Sequence, residues 1–281
     1  MAKIKARILL GERKFDECIE ALEDYLDDHK FDVEALKIFA DAHYFQEKYE
    51  DSEKLYLRAI RRGCDDTLVK KRLGLIYIRT KKWREAHTVF QEYCNVIDSR
   101  CAYAWRYLGM AGWKLRAIDG ADKAFEISNM LDNSNAETWG LLTITCLIIG
   151  VAQNRAFQSY QKAIRLGLAN YEIFAELAFL LTKTKKTHRD AEFCFERALA
   201  YDDTDEDLWL QYAEFSKIRG DLKKTIKCYE SALKHIKGEV KERETMDKLA
   251  HAQNQFDQEK KSLLAQAKNE AGELNRIAAT Y

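Results

Sequence analysis

Six aromatic side chains recur along this chain every 34 or 35 residues: Tyr56, Phe90, Phe125, Tyr160, Phe195 and Tyr229. A second set of mostly small residues keeps the same step: Ala40, Gly74, Gly109, Thr143, Ala178 and Ala213. A fixed period of this length indicates a repeat array, in which each unit packs on its neighbours and no central core is needed.

The composition favours helices throughout. The 281 residues contain no proline and only 12 glycines, and these two residue types are the strongest helix breakers. No stretch alternates with period two for long enough to predict a sheet. We therefore expect an all-α chain of stacked helix pairs, with second helices beginning near Phe15, Tyr49, Trp83, Ile118, Asn154, Arg189 and Leu222. The extra residue of the 35-residue units is expected in the turn between the two helices.

The repeat has a recognisable pattern of large and small residues. A large residue opens each first helix (Leu36, Trp105, Trp139, Phe174, Trp209), and an alanine recurs in the second (Ala86, Ala121, Ala156, Ala191). This pattern resembles the tetratricopeptide repeat, which implies an α-solenoid, a right-handed superhelix of helix pairs. About seven repeats are predicted over residues 1–236, the first one partial or degenerate. The proline that usually closes each unit is absent, so less rigid turns are expected.

After Gly238 the period stops, and residues 239–281 form a long segment with a heptad-like apolar stripe. We expect a long C-terminal helix that either caps the last repeat near Leu249 or pairs as a coiled coil. The predicted interface consists of Phe256, Leu263, Leu274 and Ile277.

The first helices of such an array line its concave face, where a partner segment can bind. Inward spacing of three or four residues predicts a groove formed by Lys71, Arg79, Tyr103, Arg106, Met110, Trp113, Lys114, Ile144, Leu147 and Phe179. Two interpretations stay open. The apolar members either fill gaps between helices, or they form a trough edged by basic residues that suits a peptide with acidic flanks.

Other function classes receive no support from the sequence. The six histidines are scattered without metal-ligand spacing, and nucleotide and acyl-transfer motifs are absent, so we expect no enzyme, cofactor or metal. Lys plus Arg and Asp plus Glu both number 46, which argues against a nucleic-acid partner. Apolar runs are too short for a membrane span. Seven cysteines without CxxC spacing are expected to be reduced structural thiols in the cytoplasm or cytoskeleton.

A co-chaperone is the alternative function. Some tetratricopeptide proteins clamp an acidic C-terminus with Lys, Asn and Arg side chains at set positions. Here Asp41 stands where the first Asn would be, Ile38 or Arg72 where the next would be, and Leu68 at a later Lys position. An acid inside the clamp repels a carboxylate, so a soluble adaptor or co-chaperone is the weaker hypothesis.

Residues 104–168 contain a more specific pattern, carried mainly by Leu131, Asn133, Asn135, Ala136, Glu137 and Trp139. It resembles the C-terminal repeat region of the family of cilia- and flagella-associated protein seventy. The resemblance implies a structural protein of the axonemal central apparatus that docks neighbouring proteins and helps ciliary beating. Whether this chain is a segment of a larger protein stays open.

Overall fold

The computed structural model describes residues 1–150 and 153–278, with side chains for 1–150 and 154–267. The regular elements of these described residues are helices. The chain divides into two compact units, Met1–Gly167 and Leu168–Tyr281. The prediction of an all-α chain is confirmed.

The first unit is a series of helix pairs. Its helices are α1 (Ala2–Gly11), α2 (Phe15–Asp28), α3 (Val33–Phe45), α4 (Tyr49–Arg61), α5 (Thr67–Arg79), α6 (Trp83–Glu92), α7 (Ala102–Lys114), α8 (Ile118–Leu131), α9 (Ala136–Ile149) and α10 (Gln153–Arg165). The two helices of each pair pack on each other, and each pair contacts the next. Second helices begin at Phe15, Tyr49, Trp83 and Ile118, where the period predicts them.

The aromatic ladder forms the centre of each helix pair. Tyr56, Phe90 and Phe125 are fully buried, and each lies on a second helix. A Cβ atom added at Gly74 would approach the ring of Phe90 to 2.8 Å, and one at Gly109 would approach Phe125 to 2.6 Å. The small residues are therefore required because an aromatic ring from the partner helix packs directly on the backbone.

The turns between paired helices of this unit each contain a left-handed residue. Arg13, Glu47, Lys81 and Arg116 have φ between 59° and 64°, and Gly150 takes the same role with φ 74°. Side chains other than glycine rarely adopt this conformation because their Cβ atom crowds the backbone. This turn could not be predicted from residue type, since Arg, Glu, Lys and Gly all occupy it.

Three first helices of this unit, α3, α5 and α9, begin at side-chain caps. Asp32 accepts hydrogen bonds from the backbone N–H groups of Glu34 and Ala35, both at 3.1 Å. Asp66 caps α5 through Leu68 N–H at 2.8 Å, and Asn135 caps α9 through Thr138 N–H at 2.9 Å.

A lysine from the preceding first helix also reaches two of these caps. Lys3 lies 2.9 Å from Asp32, and Lys37 pairs with Asp66. Each cap therefore stabilises its own helix and joins neighbouring pairs.

The extra residue of one 35-residue unit lies within a helix and not in the turn where we expected it. Residues 93–97 form a π-helical turn that continues α6, and such a turn accommodates an inserted residue within a helix. The expectation that the insertion lies between paired helices is wrong for this unit.

The second unit contains α11 (Tyr171–Leu181), α12 (His188–Tyr201), α13 (Glu206–Ile218), α14 (Leu222–Leu233) and α15 (Glu239–Ala278). A 3₁₀ turn over Lys185–Thr187 lengthens the connection between α11 and α12, as expected for an insertion there. Phe195 and Tyr229 continue the buried ladder.

The start of α15 packs on α14. Thr245 and Ala252 are buried, and Lys241 lies 2.7 Å from both Glu206 and Asp207. Lys223 lies 5.9 Å from the centre of the half-buried Phe256 ring.

Beyond Phe256 the side chains that the structure describes, through Ala267, are exposed. Leu263 is 66% exposed and Leu264 53%. Of the predicted interface, the side chains of Leu274 and Ile277 lie outside the described residues. The docked part of α15 therefore ends near Phe256.

Candidate protein-binding site

The first helices of the first unit contact one another along one side of the array. α1 contacts α3, α5 contacts α7, and α7 contacts α9. In stacked helix pairs this side presents a continuous surface for other chains. On α7, Tyr103, Arg106, Tyr107 and Met110 follow the three- and four-residue spacing that puts them on one helix face.

Tyr103 lies at the middle of this surface. Its ring centre is 4.5 Å from the Nζ atom of Lys71 on α5, and 4.5 Å from the ring of Tyr107. Burial raises the pKa of the Tyr103 hydroxyl, helped by the neighbouring Tyr107. The phenol therefore stays neutral, and its face attracts the ammonium group through a cation–π interaction.

Arg106 completes the group on α7. Its guanidinium carbon lies 5.0 Å from the ring centre of Tyr107 and 5.6 Å from that of Tyr103. Phe90 stacks beneath Tyr107 at 5.5 Å, so a buried ladder ring fixes the position of the surface tyrosine. The side chains are thus held in place by packing before any partner arrives.

Arg72 belongs to a more buried polar group on α3, α4 and α5. It forms a salt bridge with Asp41, which also accepts a hydrogen bond from the Tyr56 hydroxyl. Burial works to lower the pKa of Arg72, but the bond to Asp41 outweighs it and the pKa rises. Its guanidinium also lies 5.1 Å from the ring of Phe45 and 5.8 Å from that of Tyr44.

The surface carries an excess of positive charge. Arg72 is neutralised by Asp41, and Arg106 lies 3.7 Å from Glu137. Lys71 and Arg79 have no carboxylate partner among the residues whose side chains are described. We call Tyr44, Lys71, Arg72, Arg79, Tyr103, Arg106 and Tyr107 the cationic–aromatic surface.

Not every predicted groove residue lies on this surface. Trp113 is 6% exposed and Ile144 is fully buried, so both pack between helices and offer a partner no area. Met110 and Leu147 are half-buried, and the Nζ atom of Lys114 lies 4.2 Å from the Trp113 ring. Phe179 is 49% exposed but belongs to the second unit.

Sequence reasoning missed Tyr44, Arg72 and Tyr107. Tyr107 follows Tyr103 by one helical turn and could have been found from that spacing. The sequence connects Arg72 only with a chaperone clamp. The repeat pattern places α3 beside α5 but does not show that Tyr44 is the residue of α3 that lies close to Arg72.

The described residues show no other chemical centre. Within them, no group of three or more His, Cys, Asp or Glu side chains is placed to hold a metal ion. Burial raises the pKa of Cys94 to about 12 and that of Cys146 to about 11, so these thiols are poor nucleophiles. None of the described helices is long and apolar enough to cross a membrane.

Comparison with known proteins gives the family. The family model described as the C-terminal domain of cilia and flagella-associated protein 70 matches residues 8–279. This chain belongs to that family. Over 106 residues, 38% of this chain, it is 35% identical to cilia- and flagella-associated protein 70 of Macaca fascicularis and of Homo sapiens. The aligned segment spans 10% and 9% of those relatives.

Solved structures give the fold. The crystal structure titled "YrrB: a TPR protein with an unusual peptide-binding site" superposes with a TM-score of 0.54 at 16% identity, covering 58% of this chain and 82% of YrrB. MamA from Desulfovibrio magneticus RS-1 superposes with a TM-score of 0.53 at 16% identity, covering 59% and 92%. This chain is therefore a tetratricopeptide-type α-solenoid.

Proposed function

We propose that this chain is a non-enzymatic protein-binding scaffold of the cilium or flagellum. Family membership supports the location, and the solenoid of helix pairs supports the mode of action, because stacked repeats offer an extended surface for other chains. We further propose a place in the axonemal central apparatus and a role in motility. In this proposal residues 1–236 are the repeat domain and 239–281 a terminal helix.

The proposed docking site is the cationic–aromatic surface, together with the half-buried Met110 and Leu147. The observation that supports this site most strongly is a set of cation–π contacts. Lys71 lies over the ring of Tyr103, and Arg106 lies over the rings of Tyr103 and Tyr107. Aromatic and arginine side chains held in a concave site are the usual anchors of an interface. The excess positive charge suits a peptide segment with acidic flanks.

The co-chaperone alternative fits these residues less well. Asp41 is engaged by Arg72 and Tyr56 at the position where a chaperone clamp needs an amide. A carboxylate terminus that entered there would meet a negative charge and lose its arginine partner to Asp41.

Axoneme retention tests the proposal. Tagged full-length chains carrying Lys71→Glu and Arg106→Glu together are compared with wild type in ciliated cells, with Arg84→Glu as the control. Arg84 is exposed on α6, a second helix, and matches the charge change at one site. We expect wild type and the control to stay with salt-washed axonemes and the double variant to appear in the soluble fraction.

Two results would count against the proposal. If the folded double variant stays with axonemes as fully as wild type, the cationic–aromatic surface is not the docking site. If wild type itself is recovered only in the soluble fraction together with a heat-shock chaperone, the adaptor alternative is right.

A further inference from the structure

A second concave site lies within the first unit, away from the cationic–aromatic surface. A cavity of about 560 Å³ lies between the second helices α8 and α10 and reaches Trp139 on α9. Its volume falls within the range of roughly 300–1,000 Å³ that is typical of ligand sites. We call it the α8–α10 groove.

Asn129 on α8 lines this groove, and its buried side-chain amide is unusual in its lack of hydrogen bonds to other described residues. The residue is 7% exposed, and among the described residues neither Nδ2 nor Oδ1 of its amide finds a hydrogen-bond partner. Buried polar groups in proteins are almost always paired. The Asn129 side chain has two N–H donors and a carbonyl acceptor that are unused within the described part of the chain. It can therefore pair with a ligand that offers one hydrogen-bond acceptor and one donor.

A peptide group offers that pair. Each peptide unit carries one N–H and one C=O, and a helix uses both internally, whereas an extended segment leaves them free. The Asn129 amide therefore matches the backbone of an extended segment and not that of a helix. Its atoms are covered, so a ligand reaches them when long lining side chains such as Gln158 and Lys162 shift.

The charges in the groove select the segment. Arg155 is neutralised, because it lies 2.7 Å from Glu126 and 3.2 Å from Asp122. Lys162 and Arg165 on α10 also line the groove, and neither has a carboxylate partner among the described side chains. Counted together with Arg155, Glu126 and Asp122, the groove and its immediate surroundings carry one net positive charge. The two cations left unpaired among the described side chains, Lys162 and Arg165, complement acidic side chains.

We propose that the α8–α10 groove binds an extended acidic segment of a partner protein. The Asn129 amide pairs with one peptide group of the segment, and Lys162 and Arg165 hold its carboxylates. This second contact is independent of the cationic–aromatic surface, so the chain can hold two segments at once.

Fluorescence anisotropy with the purified full chain tests the assignment. The probe is a labelled heptapeptide library with glutamate at its second and sixth positions and the other positions randomised. A matching library carries glutamine at those two positions. The variants are Asn129→Leu, which keeps the size but removes the amide, and Arg165→Glu. All chains in this test also carry Lys71→Glu and Arg106→Glu, so that the acidic-peptide site proposed on the cationic–aromatic surface does not contribute, and Arg84→Glu is the control.

We expect the glutamate library to bind at least about tenfold more tightly than the glutamine library, as charge complementarity requires. Asn129→Leu and Arg165→Glu should each lose at least about fivefold in affinity, and the Arg84→Glu control should bind as the parent chain does. Circular dichroism confirms that the Asn129→Leu chain is folded, so that its loss of affinity reports on the amide.

Several outcomes would overturn the assignment. They are equal binding of the two libraries, unchanged binding by folded Asn129→Leu, and unchanged binding by folded Arg165→Glu. Displacement by inorganic phosphate at the peptide concentration would show a simple anion site. Tighter binding of a single-stranded oligonucleotide than of the glutamate library would show a nucleic-acid site.

Discussion

At the scale of single residues, the small positions of the repeat are the most demanding. Gly109 has the ring of Phe125 so close that an added Cβ would sit 2.6 Å from it, whereas Gly120 on α8 has nothing within 4 Å. Gly109→Ala should destabilise the fold by about 1–3 kcal/mol through overpacking. Gly120→Ala should instead stabilise it by about 0.5–1 kcal/mol through helix propensity.

Chemical denaturation of the two variants measures both changes. Because coupling in a repeat array is local, hydrogen exchange in Gly109→Ala should rise first in α7 and α8. Equal stability of the two variants would mean that the Phe125 ring moves aside without cost and that the small residue is not required.

The cap aspartates make stability depend on pH. Burial opposes ionisation of Asp32, but hydrogen bonds from Lys3, the Ala35 backbone and Tyr25 outweigh it and lower its pKa to about 2. A lowered folded-state pKa stabilises the fold above the unfolded value of about 4, and this stabilisation is lost as pH falls towards 2. Solvent screening limits the contribution to roughly 1 kcal/mol.

Asp32→Asn tests this contribution. Asparagine caps a helix nearly as well as aspartate but cannot titrate, so the variant should lose less stability than wild type between pH 4 and pH 2. If the free energy of unfolding falls equally in the two proteins between pH 4 and pH 2, the ion pair of Asp32 with Lys3 contributes nothing to stability.

At this scale, the repeat period allowed the buried positions of single residues to be predicted where the same position recurs in every helix pair. The ladder residues are buried as expected because a 34-residue step returns each ring to the same place in the next pair. The position of Trp113 could not be predicted, since residues three apart on a helix point only about 60° apart. Which of the two residues faces the core depends on how the helix is rotated. Trp113 consequently packs in the core while Met110, one turn earlier, stays half-buried at the surface.

At the scale of elements, the turns within helix pairs contain removable strain. Lys81 has φ 59°, and Gly220 has φ 78° in the equivalent turn between α13 and α14. A left-handed residue other than glycine costs about 1–2 kcal/mol, partly offset by the entropy that glycine loses on folding. Lys81→Gly should raise stability by about 0.5 kcal/mol, and Gly220→Ala should lower it by about 1 kcal/mol.

Thermal unfolding of both variants provides the measurement. A loss of stability in Lys81→Gly would mean that its side chain contributes more than the strained turn costs. The turn type could not be predicted from the sequence, because the usual marker, a glycine, is missing from four of these turns.

The C-terminal helix α15 also makes an element-scale prediction. Its side chains from 257 to 267 are exposed, whereas Thr245 and Ala252 are buried. Deleting residues 257–281 should shift the melting temperature by less than about 2 °C, and deleting 245–281 should lower it by more than about 4 °C.

We further propose that the distal part of α15 pairs with another helix, since an exposed apolar stripe on a long helix is otherwise left in water. The deletion of 257–281 should then abolish one interaction while the repeats stay folded. A large fall in melting temperature for that deletion would contradict the proposal, because it would show the distal helix folded back onto the repeats.

At the scale of the whole molecule, the central claim is that the first unit holds a partner segment on its cationic–aromatic surface. The class of activity could be predicted from the period alone, since repeat arrays bind other chains. Helix spacing predicted four residues of the surface, Lys71, Arg79, Tyr103 and Arg106. It could not predict Tyr44 and Arg72, because their proximity depends on how successive pairs pack. The α8–α10 groove escaped prediction for the same reason.

Site-specific photocrosslinking in ciliated cells tests the central claim most directly. A photoreactive residue is placed at Arg79, the exposed end of the cationic–aromatic surface, and in a second chain at Arg84 on α6. We predict that the probe at Arg79 crosslinks to an acidic segment of an axonemal protein, and that adding Arg106→Glu removes this product. The same product at equal yield from Arg84, or its persistence in the Arg106→Glu chain, would contradict the account.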